Sequence, residues 1–139
     1  MIITYPTTGA AFWRGEIDLL ADDIKAALLL NHTPNKTNDR FSDVSGDEVT
    51  GAGYSAGGVS LTTKVISVSS SNVVFNADDV EWDPSTITAD SVIIYKDAVA
   101  AADCRLIVHL TFGEVLKSSN DRFRVQFHPT GITKVVTAG

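Results

Sequence analysis

Cationic residues are scarce in this chain: 11 Lys and Arg stand against 17 Asp and Glu, for a formal net charge of −6. Binding to phosphate backbones draws on clustered Lys and Arg. No such cluster occurs along the 139 residues, so direct DNA or RNA binding is disfavoured. Cysteine is nearly missing too. Cys104 has no second cysteine to bridge, and its expected role is that of a small buried hydrophobe on a strand. Long apolar runs are absent: nothing approaches the roughly 20 residues that span a bilayer. The opening Met1 to Tyr5 lacks the basic-then-apolar order of a secretory leader. The expectation is a chain made and assembled in a cytoplasm, with no membrane partner.

What remains is rich in β-formers. Val, Ile and Thr together number 39, and these side chains suit a pleated, half-buried surface better than a helix. Hydrophobic residues make up 44% of the chain, which argues against disorder. Surface scaling gives roughly 7,000 Å² folded against about 21,000 Å² unfolded. One domain, residues 1–139, can therefore hold a core without staples.

The first third differs from the rest. Trp13, Ile17 and Leu20 recur at helical spacing and predict a short helix over Ala11 to Leu20. Ile24 to Leu30 reads as a buried strand between Asp22-Asp23 and the Pro34 region, with a longer helix through Leu30 as the competing reading. Phe41 and Val44 suggest one helical turn. Gly51 to Gly58 holds four glycines and reads as an irregular loop entering a strand. It lacks both the Gly-Lys-Ser/Thr of a phosphate loop and the helix that must follow one.

Later strands are expected at Val59 to Val68, with an apolar phase shift that hints at a bulge, and at Asn72 to Phe75 after a serine-rich turn. Others are expected at Asp79 to Trp82, Ser91 to Lys96, Leu106 to Phe112, Phe123 to Phe127, and Ile132 to Val136 after Pro129-Thr-Gly131. Ser91 to Lys96 is apolar on both faces, so it belongs at the centre of a sheet. Such spacing predicts a mainly β fold: an antiparallel β-sandwich or barrel-like domain with one or two short N-terminal helices.

Candidate chemistry is thin. Asp79, Glu81 and Asp83 share one strand face and could in principle collect Ca²⁺, but their alternation with Val80 and Trp82 describes a solvated face opposite a core face. Asp22-Asp23 and Asp78-Asp79 read as turn residues. His32, His109 and His128 share no metal-ligand spacing, and the last two are placed on polar strand faces. Ser55 is one residue out of register for a nucleophile elbow. Arg122 and Arg124 form the one basic stripe and could meet an acidic partner surface or sugar hydroxyls. No catalytic, cofactor or metal residue is therefore assigned.

In order, Ile24-Lys-Ala-Ala-Leu-Leu, Thr33-Pro-Asn35, Phe41-Ser-Asp-Val44 and Gly53-Tyr-Ser-Ala-Gly-Gly58 precede Asp79-Val-Glu-Trp82 and Thr86-Ile-Thr-Ala89. Val92-Ile-Ile-Tyr-Lys-Asp97, Phe112-Gly113 and Asp121-Arg-Phe-Arg-Val-Gln-Phe127 follow. From about Ile17 to Val136 this series resembles small virion structural proteins of tailed bacteriophages, of the capsid cement or decoration type. The resemblance implies a virion location on the capsid surface, the major capsid protein as partner and no enzymatic activity. Self-association fits such a lattice, with a trimer favoured or a dimer. Residues 1–10 find no counterpart and are expected as an extended arm that could add a strand to a neighbour. Three rivals stay open. One is a tail, baseplate or fibre component. Another is a carbohydrate-binding sandwich offering Trp13, Trp82 or Tyr54. The last is an enzyme built on His109, His128 or Ser55.

Overall fold

The computed structural model describes residues 2–69, 72–128 and 131–136. Its strands are β1 (Ile2–Thr4), β2 (Ile24–Leu29), β3 (Val59–Ser60), β4 (Val65–Ser69), β5 (Asn72–Asn76), β6 (Val80–Ser85), β7 (Thr88–Lys96), β8 (Leu106–Lys117), β9 (Asp121–Val125) and β10 (Thr133–Val136). One helix, α1 (Pro6–Trp13), lies between β1 and β2. The fold is mainly β, every strand pairing is antiparallel, and the arrangement is sandwich-like with no closed barrel among the described residues.

The main sheet runs β1-β8-β7-β2-β3, beside a three-stranded sheet β10-β5-β4 and the pair β6-β9. β7 sits in the middle, as its two apolar faces require. Alternation along the strands divides the core in two. Ala26, Leu28, Val92, Ile94 and Val108 turn toward Phe75, Trp82 and Phe123 of the smaller sheets and toward Phe127 and Ile132 in the chain after β9. Ala27, Leu29, Ile93, Tyr95 and Leu106 turn the other way, toward Tyr5, Phe41 and Val44. The central sheet is thus covered on both faces. On the second face Phe41 stacks on Tyr95 with ring centroids 4.3 Å apart, and Thr8 Oγ1 donates to Leu106 O at 2.5 Å.

Two expectations near the N-terminus are corrected. The helix covers Pro6–Trp13, so Ile17 and Leu20 lie outside it. Proline at the first turn opens a helix and a left-handed glycine closes one. Gly15 has φ 74°, Gly15 N–H donates to Phe12 O and Glu16 N–H to Ala11 O, which is the Schellman arrangement. The extended arm is replaced by structure within the chain itself: β1 pairs with β8, Ile3 opposite His109, and α1 follows at once. Met1 lies outside the described residues.

The expected strand from Val59 to Val68 is two strands in two sheets. β3 pairs with β2, Leu61 drops into the core at 5% exposure, Thr63 turns the chain at φ 54°, and β4 joins β5. The apolar phase shift marks this change of sheet and not a bulge. Ile24–Leu29 is a strand as expected, and Phe41–Asp43 is a single 3-10 turn. Ser70, Ser71, Pro129 and Thr130, where turns are expected, lie outside the described residues.

Candidate functional site

The glycine-rich loop is a clasp. A Cβ on Gly58 would stand 1.8 Å from Ala26 O, one on Gly51 2.2 Å from Thr86 O, and one on Gly53 2.2 Å from Pro84 O. Glycine at these positions lets the loop backbone lie directly on β2 and on the β6–β7 connection. Glu48 then ties the loop down. Its Oε2 accepts from Tyr54 Oη at 2.6 Å and from Gly57 N–H at 2.7 Å, while Tyr54 Oη accepts from Leu28 N–H at 3.0 Å. Burial, and next the bond to Glu48, push the Tyr54 phenol far above its ordinary range. Tyr95 Oη donates to Gly57 O at 2.6 Å and locks the far side.

The acidic face and the basic stripe meet each other. β6 and β9 are paired, Glu81 opposite Arg124. Arg124 Nη2 reaches Asp79 Oδ2 at 2.7 Å, and Arg122 Nη1 stands 3.9 Å from Glu81 Oε2. Asp79 Oδ1 also accepts from Phe127 N–H at 2.9 Å. Arg124 and Asp79 are thereby committed to each other, while Arg122 and Glu81 remain half-exposed. Among the described residues no group of three metal-ligating side chains forms.

The turn carboxylates are engaged as well. Asp22 Oδ2 accepts from Asp18 N–H at 2.7 Å and lies 3.2 Å from Lys96 Nζ. The Asp18 N–H, with Lys96 assisting, holds the Asp22 carboxyl below its usual range. Asp78 Oδ2 accepts from Thr63 Oγ1 at 2.7 Å. Arg105 spans Glu16 at 2.8 Å and Asp39 at 3.1 Å, fixing the loop after α1 to the start of β8.

The histidines depart furthest from expectation. The expected polar face for His109 is corrected: the residue is fully buried, with His32 from the chain between β2 and β3 lying against it. Its two ring nitrogens have no partner among the described residues. The ring meets that of His32 edge-on at 5.4 Å and 78°. His32 is pinned by Asp47 Oδ2, 2.8 Å from Nδ1. Burial, and then the His32 charge, lower the His109 pKa to about 4. An open cleft of about 340 Å³ runs beside the pair, lined by His32, Asp90, Ser91, Thr111 and Glu114 among others. Ser91 Oγ is buried at its base without a partner among the described residues. No sequence pattern announced this group, since its members lie on three separate segments.

Ser55 is exposed on the loop and His128 is exposed after β9. Cys104 is buried at 3% exposure, in the turn before β8 and not on a strand; its Sγ accepts from Ala98 N–H at 3.2 Å, and burial pushes the thiol up. Of the aromatic residues offered to sugars, Trp82 is buried and Tyr54 is engaged, whereas Trp13 is 92% exposed. Further exposed apolar side chains are Leu20, Val68 and Val99. No helix among the described residues is long and apolar enough to cross a membrane. Comparison with family models, with curated proteins and with solved structures yields no match.

Proposed function

We propose that this chain is a structural component of a tailed-phage virion, a capsid cement or decoration protein that binds the major capsid protein and stabilises the head shell. One contrast carries the reading. Asp79, Glu48, Arg105, Arg124, Tyr54 and Tyr95 are engaged in internal bonds, while Trp13, Leu20, Val68 and Val99 stand out in solvent. Exposed aromatic and branched side chains are the material of protein–protein contact. A central sheet buried on both faces supplies the rigidity such a role needs. Lattice repetition turns many weak contacts into strong retention, and net charge −6 suits an outer surface better than one facing packaged DNA.

Quantitative mass spectrometry of purified heads, before and after tail attachment, tests this. Near-stoichiometric copies on heads are expected; presence in tails alone would replace the cement reading with the tail, baseplate or fibre one. Trp13 specifically favours a second reading, a carbohydrate-binding module, because an exposed indole can stack on a sugar ring. Glycan-array binding abolished by Trp13→Ala would support it, and silence across the array would remove it.

A further inference from the structure

From Val65 to Asn76 the chain carries no charged residue, no proline and no glycine. β4, the first strand of this hairpin, pairs with β5 on one side and with no described residue on the other. Its register with β5 is unbroken from Val65 opposite Asn76 to Ser69 opposite Asn72, so the outer row of N–H and C=O groups is regular. Edge strands that remain solitary are usually blunted by an internal lysine, a proline or a bulge. β4 has none of these. Val65 is 51% exposed, Ile66 41% and Val68 75%.

An open backbone row selects a β-strand as its occupant, and charge narrows the choice. Copies of a chain with net charge −6 repel one another, and this uncharged hairpin is where two can meet without setting carboxylate against carboxylate. The side chains match in the same way. Antiparallel pairing about a two-fold axis through Ser67 sets Ile66 opposite Val68 of the second copy and Ser67 opposite its own counterpart. At these central positions apolar faces apolar and hydroxyl faces hydroxyl, while Val65 lies opposite Ser69 at the strand ends.

We propose that β4 is a self-assembly edge, at which two copies join antiparallel to make one continuous six-stranded sheet from their β10-β5-β4 sheets. A strand of this length spans about 17 Å, and its edge buries less than the roughly 1,200 Å² of a durable pair. The association is therefore reversible in dilute solution and strengthens where copies are held side by side.

Sedimentation velocity on the purified chain across a concentration series tests the pairing. The expected result is a monomer–dimer equilibrium weakened at least ~10-fold by Val68→Lys, which adds a charge to the edge, with an unchanged thermal midpoint. Ser67→Cys is expected to yield a covalent dimer on oxidation, Cys104 being buried. A monomer at every concentration overturns the proposal. So does a dimer indifferent to Val68→Lys that Ser67→Cys fails to cross-link. Absence of the chain from virions would sink the cement reading yet leave this solution pairing intact, so the two fail separately.

Discussion

Acid should weaken this protein through His109 before its carboxylates begin to protonate. The ring is fully buried, both nitrogens lack partners among the described residues, and its pKa falls to about 4. Unfolded, the same ring titrates near 6.5. Between those two values the unfolded chain binds the extra proton, so stability rises with pH. The contribution is complete above about pH 6.5 and is lost progressively as pH falls toward 4. Across the whole window the shift corresponds to about 3 kcal/mol, of which about 2 kcal/mol falls between pH 7 and pH 5. That is a large share of the roughly 5–15 kcal/mol that holds a typical domain folded. The groups facing the ring set the size of the effect. The His32 charge adds to the lowering, while Asp90 opposes it. His109→Leu replaces the ring with an apolar side chain of similar volume and removes the titration. Urea unfolding of both proteins at intervals from pH 7 to pH 5 gives the difference curve. The wild type should lose about 2 kcal/mol more than His109→Leu over that interval. Parallel loss in the two proteins would refute the reasoning, since it would mean that the buried ring titrates like a free one.

Other perturbations follow from the clasp and the thiol. Gly58→Ala forces a Cβ to 1.8 Å from Ala26 O at φ 76°. It should cost more than about 3 kcal/mol, read as a large drop in the thermal midpoint. Tyr54→Phe leaves Leu28 N–H and Glu48 without their shared hydroxyl; a loss of about 1–3 kcal/mol is expected in urea unfolding. Arg122→Ala breaks a pair with 3.9 Å separation and two half-exposed side chains, so thermal unfolding should barely move. Cys104 should resist alkylation by a thiol reagent at pH 8 and react at once in denaturant, because the thiol is buried and its pKa raised.

Much of the fold can be read from local pattern. Val92 to Tyr95 is apolar at every position, which fits only a strand covered on both faces, and β7 is that strand. Pro6 and Gly15 punctuate α1 more sharply than the spacing of Trp13, Ile17 and Leu20, which misplaced the helix by five residues at its start. Propensity and periodicity speak for one element at a time, and they are strongest where that element is buried.

Pairing is a property of two segments, so it is invisible in either alone. The acidic stripe at Asp79 and Glu81 and the basic stripe at Arg122 and Arg124 were both legible, but only the β6–β9 register joins them. His109 shows the same limit, because alternation assigns it a face without saying that His32 will pack against it and that the ring will be buried. Local pattern is enough for a mainly β chain with a central apolar strand, since each rests on neighbours two or four residues apart. The packed fold settles which charges meet and which histidine is buried, since both depend on contacts between residues far apart along the chain.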